Sequence, residues 1–506
     1  MRPIVTRRLV LAGAAALPFL HLRGAAAAGS GTLTFGLSSY PPNIQPWANA
    51  GTAAGTIKAM IYRGLLSYDA KGTLRGELAE SWAQDGATAW GFTLRDATFH
   101  NDEKVTSADV KWTLEQIAAE KSTAYFRAEM QGVDRIETPD DKTVRIVMKQ
   151  PTATLPEWLA SYHLPIISMK SESGQPIGAG PFVLKAQERG VSLDLEAFGK
   201  FYRLGLPKLK SIRAIAYADE NLRVAALQTG DVDLIEYVPW QAMEVIGKDA
   251  KLKLDAVDGP FMYLVFNGTK PPFDDPRVRK AVAHAIKREE IVSAAFFGRG
   301  SPLAHLPIPE ASAFFNPALK EGWKYDPDLA RKLLGEAGLG GGFTCKFLST
   351  AQYGMHKDSA EVVQQNLAAI GIKAELNLPD WATRVALGNK GQYDIAMMGT
   401  ATDSNDPDGL GNLIDGSLSP SYARSFGVKV PKIEELLRAG RAEFDPANRN
   451  AIYATLEELA IAEAPIVGLA WRSQGYAMQA SVTGFKNLPG ALTFYSGLTF
   501  EEAAKG

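Results

Sequence analysis

Three predicted helices of this chain begin with the same pair of residues, an aspartate followed by a proline. The pairs stand at 275–276, 326–327 and 445–446, in DDPRVRKAVAHAI, YDPDLARKLLGEAG and FDPANRNAIYATLEEL. An aspartate before a helix accepts hydrogen bonds from its first free N–H groups, and proline fits the first helical position. Apolar runs such as YDIAMMG (393–399) alternate with these helices and are typical of short strands. The pattern predicts helices packed on a sheet, an α/β fold.

The first of these helices and a fourth predicted helix carry further signals. In the first, the apolar side chains fall on one face at helical spacing, and they are Val278, Ala281, Val282, Ala285 and Ile286. A fourth helix is predicted to begin with a capping box made by Asp358 and Glu361. Gly371 is predicted to end that helix before the alternating strand IKAEL.

The N-terminus has the features of an export signal. Arg2, Arg7 and Arg8 precede an apolar run from residue 9 to residue 20, and the stretch GAAAAG follows, with predicted cleavage after Ala28. The run is shorter than the roughly 20 apolar residues that a membrane span needs. The paired arginines in TRRLVL favour the twin-arginine route. We therefore expect a periplasmic protein, released from a cleaved signal at residues 1–28.

Cysteine content and charge exclude several classes of protein. Cys345 is the only cysteine, so the chain forms no intrachain disulfide and offers no cysteine near the predicted cleavage site for a lipid anchor. Removal of residues 1–28, which hold four arginines and no acid, takes the formal net charge from −2 to −6. This balance does not suit a nucleic-acid partner, which selects basic patches. A chain of 506 residues is also expected to divide into two or three domains.

One loop concentrates negative charge. GTATDSNDPDG, residues 399–409, holds Asp403, Asp406 and Asp408 with no basic residue beside them. An EF-hand calcium loop is excluded, because Pro407 and Ile414 occupy positions that need oxygen ligands. The loop is either an ordinary acidic turn or a site for a cationic ligand. It leaves the predicted carboxyl end of a strand, the edge at which open α/β sheets bind ligands.

No familiar catalytic or cofactor motif is present in the sequence. There is no G-x-S-x-G, H-E-x-x-H, C-x-x-C, Walker loop or G-x-G-x-x-G, and no two of the six histidines lie within a helical turn of each other. We predict that the chain is not an enzyme and needs no cofactor or metal. Trp381 and Trp471 flank strands and are both candidates for lining a pocket, although the core is favoured for Trp381.

Several segments together resemble one family, the periplasmic oligopeptide- and dipeptide-binding proteins of ABC importers, which are family 5 solute-binding proteins. They span roughly residues 32–490 in order, and they are IYRGLLSYDAKGTLRGELAESWAQD, FTLRDATFHNDEKVTSADVKWTLEQI, PIGAGPFVLK, AALQTGDVDLIEYVP, YLVFNGTKPPFDDPRVRKAVAHAIKREEIV, AAIGIKAEL and YDIAMMGTATDSNDPD. The ordered set is what carries the resemblance, since each piece alone is a weak signal.

The resemblance implies a two-lobed periplasmic-binding-protein fold with crossover hinge strands and an extra domain inserted in the first lobe. We predict the first lobe from residues 29–55, 180–269 and 475–506, the inserted domain from 56–179, and the second lobe from 270–474. The family binds its ligand between the lobes and hands it to a membrane permease. The implied partners are therefore a short peptide or other small molecule and the permease, with the binding protein itself a monomer.

The resemblance also implies a role for the acidic loop. The family's aspartate that matches Asp403 takes the ammonium group at the ligand's N-terminus, whereas Asp406 and Asp408 are expected to form turns. Two positions depart from the dipeptide-binding pattern. Thr400 stands where those members have a tryptophan, and Thr350, in LSTAQY, stands where they offer an arginine to the ligand's carboxylate.

Further candidate ligand contacts lie in other segments. Arg472, after the strand PIVGLA, is either the missing positive charge or a surface arginine, and Ser39, Tyr40 and Tyr125 offer polar groups from the first lobe. The function expected is capture of a small amine-bearing ligand, foremost a short peptide. The alternatives are an opine, a glycoconjugate or a metal chelate as ligand, or a different class of protein, a periplasmic hydrolase or chaperone.

Overall fold

The computed structural model describes residues 31–48, 51–171, 175–310 and 312–506, so the predicted export signal lies outside the described residues. Its strands are β1 (Thr32–Leu37), β2 (Leu66–Tyr68), β3 (Leu74–Gly76), β4 (Ala79–Gln84), β5 (Ala89–Leu94), β6 (Val133–Glu137), β7 (Thr143–Met148), β8 (Phe182–Glu188), β9 (Ser192–Ala197), β10 (Ser211–Ala216), β11 (Leu234–Ile235), β12 (Leu252–Phe266), β13 (Gly300–Pro302), β14 (Phe343–Leu348), β15 (Ile372–Asn377), β16 (Ile395–Thr400), β17 (Val467–Gln479), β18 (Val482–Thr483) and β19 (Ala504–Lys505).

The α-helices are α1 (Thr52–Ile61), α2 (Ser107–Ala118), α3 (Arg127–Met130), α4 (Leu155–Leu159), α5 (Glu220–Thr229), α6 (Trp240–Lys248), α7 (Pro276–Ala285), α8 (Arg288–Phe296), α9 (Pro327–Glu336), α10 (Gly354–Ala368), α11 (Trp381–Asn389), α12 (Gly411–Ile414), α13 (Pro431–Ala442) and α14 (Pro446–Glu463). Three 3-10 helices span Pro317–Leu319, Pro407–Leu410 and Gly490–Glu501. Within the described ranges, every helix is too short or too polar to cross a bilayer.

Two long strands connect the halves of the molecule. β12 and β17 are antiparallel neighbours at the centre of an 11-stranded sheet. Ten of its strands have the order β15-β14-β16-β12-β17-β11-β1-β10-β9-β8, and the eleventh, β13, pairs with β17 outside this order. β12 has 15 residues and β17 has 13, and their register shifts between Asp258 and Phe261. The α/β fold with two lobes and crossing strands is therefore as expected.

The buried core divides in the same way. One apolar cluster contains buried residues from 261 to 471, and we call the half of the molecule built around it the second lobe. The first lobe contains three clusters, of which one fills the space under the four-stranded sheet β4-β5-β7-β6. The C-terminal 3-10 helix Gly490–Glu501 contributes buried residues to two first-lobe clusters. The limits predicted for the lobes and the inserted domain stay predictions.

The predicted aspartate caps are confirmed. Asp275 accepts a hydrogen bond from the backbone N–H of Arg277 (2.8 Å), and Asp326 accepts one from that of Leu329 (2.9 Å). Asp445 accepts two, at 3.0 and 2.9 Å, from the first turn of α14. In α7 the predicted apolar face is buried against the second-lobe core. Local chemistry therefore decides where these helices begin.

The capping box predicted at Asp358 is wrong. α10 begins four residues earlier, at Gly354, with Tyr353 at the N-cap and no side-chain cap. Asp358 lies in the second turn of the helix, and Glu361 pairs with Lys357 (3.4 Å). The turn after β14 starts the helix before the chain reaches Asp358. Packing of the helix on the sheet therefore overrides the local capping signal at Asp358. Gly371 does form the predicted turn, with φ at +87°.

A buried ion cluster joins the C-terminus to the first lobe. It contains Glu77 and Glu501, which are 0% and 1% exposed, with Arg63, Arg75 and Arg203. Arg75 Nη2 lies 3.1 Å from Glu77 Oε1 and 3.0 Å from Glu501 Oε1. Arg63 Nη2 lies 2.9 Å from Glu501 Oε2, and Arg203 Nη2 lies 2.9 Å from Glu77 Oε1. Each carboxylate therefore faces all three guanidinium groups.

Candidate functional site

The acidic loop leaves the carboxyl end of β16, as the sequence predicts. β16 ends at Thr400, which pairs with Phe261 of β12, and the 3-10 helix Pro407–Leu410 closes the loop. Asp406 caps that short helix by accepting a hydrogen bond from the backbone N–H of Asp408 (2.9 Å). The three aspartates therefore lie where the second lobe faces the first.

Two of the three aspartates are paired with arginines that are distant in the sequence. Both guanidinium Nη atoms of Arg449 donate to Asp406, at 2.6 and 2.7 Å. Arg441 Nε donates to both oxygens of Asp408, at 3.0 and 3.1 Å, and Thr154 of the first lobe donates to Asp408 as well (3.1 Å). These two carboxylates hold the loop on the second lobe and need no further cation.

Asp403 has no such partner. Its carboxylate accepts hydrogen bonds from the hydroxyl of Tyr125, at 2.9 and 3.0 Å, and from the Asn412 amide (3.4 Å). Among the residues that the structure describes, none forms an ion pair with Asp403. Burial raises the pKa of Asp403 above its ordinary value, although the hydrogen bonds from Tyr125 and Asn412 act in the opposite direction. A cation beside this carboxylate would stabilise its charged form.

Tyr125 and Asp403 are therefore brought together from different lobes. They are separated by 278 positions in the sequence, and the tyrosine side chain is 38% exposed. The Tyr125 ring lies 4.5 Å from the ring of His163 (centroid to centroid), and the hydroxyl of Tyr495 donates to the Asp403 carbonyl (2.7 Å). Side chains of the first lobe thus contact both the carboxylate and the backbone carbonyl of Asp403.

A cavity of about 790 Å³ borders Asp403 between the lobes. First-lobe residues 126–161 and second-lobe residues 403–442 contribute to its lining. Two first-lobe acids, Glu129 and Glu157, face it, and burial followed by the charge of Asp406 raises the pKa of Glu157 to about 8. Two carboxyl groups of the first lobe therefore line the cavity, and burial favours the neutral form of Glu157.

The remaining predicted contacts are spread over the structure. Ser39 is exposed, and Tyr40 is half-buried with its hydroxyl 3.4 Å from Gln187. Thr400 is half-buried at the end of β16. Thr350 is fully buried, and its hydroxyl donates to the backbone carbonyl of Pro379 (2.7 Å). No role in binding is tested for these four residues, which stay predictions.

Trp471 and Arg472 lie on β17, where that strand passes between the lobes. Trp471 is 8% exposed, pairs with Phe261 across the sheet and meets its ring edge-on at 5.5 Å. Arg472 is buried, so it is not a surface arginine, and it donates to the hydroxyl of Tyr237 (2.8 Å). Both residues are separated from the end of β16 by β12, since Phe261 of β12 pairs with Thr400 on one side and with Trp471 on the other.

Sequence reasoning missed a group of residues at the same edge. Trp381, for which the sequence favoured the core over the wall of a pocket, is half-buried, and its ring lies 5.6 Å from that of His356 and 6.0 Å from that of Tyr422. Arg384 lies one turn further along α11 and is fully buried. The available signal was positional, since α10 and α11 directly follow strands β14 and β15. No motif in the sequence distinguishes these side chains.

Replacing Asp406 tests whether the loop's other carboxylates are structural. In Asp406→Ala, Arg449 remains buried and loses the one carboxylate that pairs with it among the described residues, so we expect a loss of about 3 kcal/mol in unfolding free energy. Ligand affinity should change less than in Asp403 variants. Chemical denaturation and calorimetry measure the two effects. The control is Asp328→Ala, which removes an exposed ion pair with Arg331 and should change little. An affinity loss larger than that of Asp403→Ala would contradict this assignment.

Comparison with known proteins decides the family. The model of the bacterial extracellular solute-binding proteins, family 5 middle region, matches residues 73–419, more than half of the chain. The chain belongs to the family 5 extracellular solute-binding proteins. The resemblance seen in the sequence is therefore confirmed, and the family is one of binding proteins rather than enzymes.

This solute-binding protein is similar to proteins with several ligands. It is 38% identical to the binding protein AgaA from A. tumefaciens R10, solved with agropinic acid, with a TM-score of 0.85 over 94% of this chain and 99% of that one. It is 28% identical to the glutathione-binding protein GsiB of Pectobacterium atrosepticum, over 91% of each chain. The peptide-bound DppA of Helicobacter pylori, 21% identical with a TM-score of 0.81 over 94% of this chain and 98% of that one, shares the fold.

Proposed function

We propose that this solute-binding protein captures a small ligand that carries a protonated amine, and that Asp403 binds the amine. The supporting observation is the contrast within one loop. Asp406 and Asp408 each pair with an arginine, whereas Asp403, within the described residues, accepts only from neutral donors. A cation that enters a site shielded from water needs a charged partner. As a family 5 protein, the chain serves an ABC importer as its substrate-binding component.

Capture follows from closure of the lobes. Tyr125 belongs to the first lobe and Asp403 to the second, so the groups that would surround the ligand amine converge only when the lobes meet. A ligand with contacts to both lobes favours the closed state by the free energy of those contacts. The long strands β12 and β17 are the connections about which such a movement would occur.

A short peptide is the ligand that this arrangement supports first, because its N-terminal ammonium suits Asp403. The relative GsiB is named for binding glutathione. An opine-type acid is the second candidate, and it is favoured by the 38% identity to AgaA, which was solved with agropinic acid. Thr350 and Thr400, the departures from the dipeptide pattern, are consistent with a ligand other than a simple dipeptide.

Calorimetry on ligand-free protein separates these candidates. The protein is denatured, dialysed and refolded, and then titrated with Ala-Ala, Ala-Ala-Ala, glutathione and agropinic acid. Saturable binding of a peptide, weakened when its amine is acetylated, supports the proposal. Binding of agropinic acid alone assigns the protein to the opine class. Turnover of any probe would place it outside the binding proteins.

Closure predicts compaction in solution. A bound probe should reduce the radius of gyration measured by small-angle X-ray scattering. It should also raise the unfolding temperature, because a hundredfold excess over the dissociation constant adds about 3 kcal/mol of stability. The control is the same titration with Asp403→Ala, which should require far more probe for the same compaction. Tight binding with an unchanged radius would show that closure is not the mechanism.

We also propose that residues 1–28 direct export and are cleaved, leaving a monomer in the periplasm. The proposal is supported by the arginines and apolar run of that segment and by the extracellular assignment of the family. The intact mass of protein released from the periplasm tests it, since cleavage predicts a chain that begins at Gly29. A retained N-terminus would contradict cleavage.

A further inference from the structure

The cavity between the lobes brings carboxyl groups of both lobes together. They are Glu129 and Glu157 of the first lobe and Asp403, Asp406 and Asp408 of the second. The guanidinium groups of Arg449 and Arg441 pair with Asp406 and Asp408. In the part of the chain that the structure describes, the other three carboxyl groups form no ion pair. Closure of the lobes therefore gathers more negative than positive charge in one place.

Glu157 is held against the acidic loop by hydrogen bonds on both sides of it along the chain. Thr154, the N-cap of α4, donates to Asp408 of the second lobe (3.1 Å). Ser161 Oγ lies 3.2 Å from the hydroxyl of Tyr495, which donates to a backbone carbonyl of the acidic loop (2.7 Å). Spacings of three and four residues place Glu157 between these two contacts on the same helical face. Its side chain therefore faces the loop that carries the three aspartates.

The Glu157 carboxyl group lacks the contacts that a charged carboxylate needs. Its Oε2 atom is buried and has no hydrogen-bond partner among the described residues, although the residue as a whole is only partly buried. Apolar side chains that line the same cavity include Phe126, Met148 and Trp158. A carboxylate removed from water without a cation or hydrogen-bond donors is costly, whereas the neutral acid is not. The closed arrangement therefore favours the protonated form of Glu157.

Other titratable groups near Glu157 do not neutralise it. Burial, followed by the charges of Glu157 and Asp406, raises the pKa of Tyr68 on β2, and burial also raises the pKa of Glu129 on α3. The charge of Arg449 lowers the pKa of Glu157, but burial and the charge of Asp406 have larger effects. At the cavity rim, two groups of each charge balance, and they are Lys149, Asp415, Glu435 and Arg438.

In an open molecule, water would solvate the Glu157 carboxylate, which would then have a pKa near its ordinary 4.5. Closure removes this water and brings the second-lobe aspartates close. We propose that Glu157 takes up a proton when the lobes close, so that capture of the ligand is coupled to pH. The proton comes from the solvent and forms an O–H bond on the carboxylate. This coupling rests on the proposed closure of the lobes, but it does not require Asp403 to bind an amine.

The direction of the pH effect follows from the two states of Glu157. Its pKa is about 8 in the closed form and near 4.5 when solvated. Below both values the group is neutral in either form, and above both it is charged in either form, so neither limit has a pH dependence. Between them the closed form binds the extra proton. Each unit of falling pH therefore raises the ratio of closed to open molecules by up to about tenfold.

Calorimetry counts the proton directly. Ala-Ala-Ala, glutathione and agropinic acid are titrated at pH 6.5, where a peptide amine is already protonated, in phosphate and in imidazole buffer, which have different ionisation enthalpies. The wild type should take up about one proton per bound probe, and Glu157→Gln, which is neutral at every pH, should take up close to none. The control is Glu435→Gln, which removes an exposed carboxylate paired with Lys432 and should retain the uptake.

The pH dependence of affinity is the second measurement. From pH 5.5 to pH 7.5 the wild type should weaken by up to about 100-fold, and Glu157→Gln should weaken far less. At pH 7.5 the variant should bind at least as tightly as the wild type, because its closure needs no proton. A purely structural role for Glu157 predicts a different result, since the variant would then bind more weakly at every pH.

The outcomes separate this proposal from the amine-binding role of Asp403. No proton uptake by the wild type at pH 6.5 overturns the coupling, even if acetylation of the probe still weakens binding. Uptake that is lost in Glu157→Gln supports the coupling, even if acetylation has no effect. If no probe binds, small-angle X-ray scattering of the ligand-free wild type decides. A smaller radius of gyration at pH 5 than at pH 8 supports the proposal, and equal radii overturn it.

Discussion

Asp403→Ala is expected to weaken binding of an amine-bearing probe by a few hundred-fold to a few thousand-fold. The variant leaves the ligand cation in a shielded site without a charged partner, and removing one member of such a pair costs about 3 to 5 kcal/mol. Asp403→Asn retains the shape and the hydrogen bond from Tyr125 while losing the charge, so its loss should have the same sign. Calorimetry with Ala-Ala-Ala measures both changes.

Acetylation of the probe turns this measurement into a double-mutant cycle. N-acetyl-Ala-Ala-Ala should bind the wild type far more weakly than the free peptide, yet acetylation should matter little for Asp403→Ala. The two changes remove the same interaction, so their effects cannot add. If the losses are simply additive, Asp403 does not bind the amine and the loop is an ordinary acidic turn. Asp408→Ala, whose carboxylate pairs with Arg441, provides the control within the same loop.

Glu77→Gln is expected to cost about 3 to 5 kcal/mol of unfolding free energy, because it leaves three arginines around a single remaining carboxylate, Glu501. Burial alone would raise the pKa of Glu77. The positive charges of Arg63, Arg203 and Arg75 overcome that effect and hold the pKa of Glu77 at about 2, below its ordinary 4.5. Its contribution to stability is therefore complete above about pH 4.5 and is lost as the pH falls towards 2.

Thermal and denaturant unfolding between pH 7 and pH 2 measure this contribution. The wild type should lose stability across that acidic range, and Glu77→Gln should show a flatter dependence there because it has no proton to gain. Glu137→Gln removes an exposed carboxylate that pairs with Arg135 and Arg145, and it should change little. A Glu77→Gln protein as stable as the wild type at pH 7 would contradict the importance of the cluster. The molecule has more than one apolar core, so its unfolding is not treated as a single two-state step. The complete unfolding curves of the variants are therefore compared with that of the wild type.

Features that depend on neighbouring residues were predictable from the sequence. The Asp-Pro helix starts, the buried face of α7 and the strand before the acidic loop are all found, because a cap or an apolar stripe needs only residues within a few positions. The ordered motifs also predicted the family and the two-lobed fold. The failure at Asp358 shows the limit of this reasoning. A valid local cap was available, but the turn from β14 had already begun the helix.

The sequence by itself determined the family, the α/β class and the position of Asp403 after a strand, since each follows from local pattern. Only the tertiary structure decided the electrostatic partners. Arg449 neutralises Asp406 from 43 positions away, Tyr125 reaches Asp403 across 278, and Arg384 is buried without any acid among the described residues. Charge compensation depends on distance and burial in space, and a local pattern specifies neither for residues so far apart in the chain.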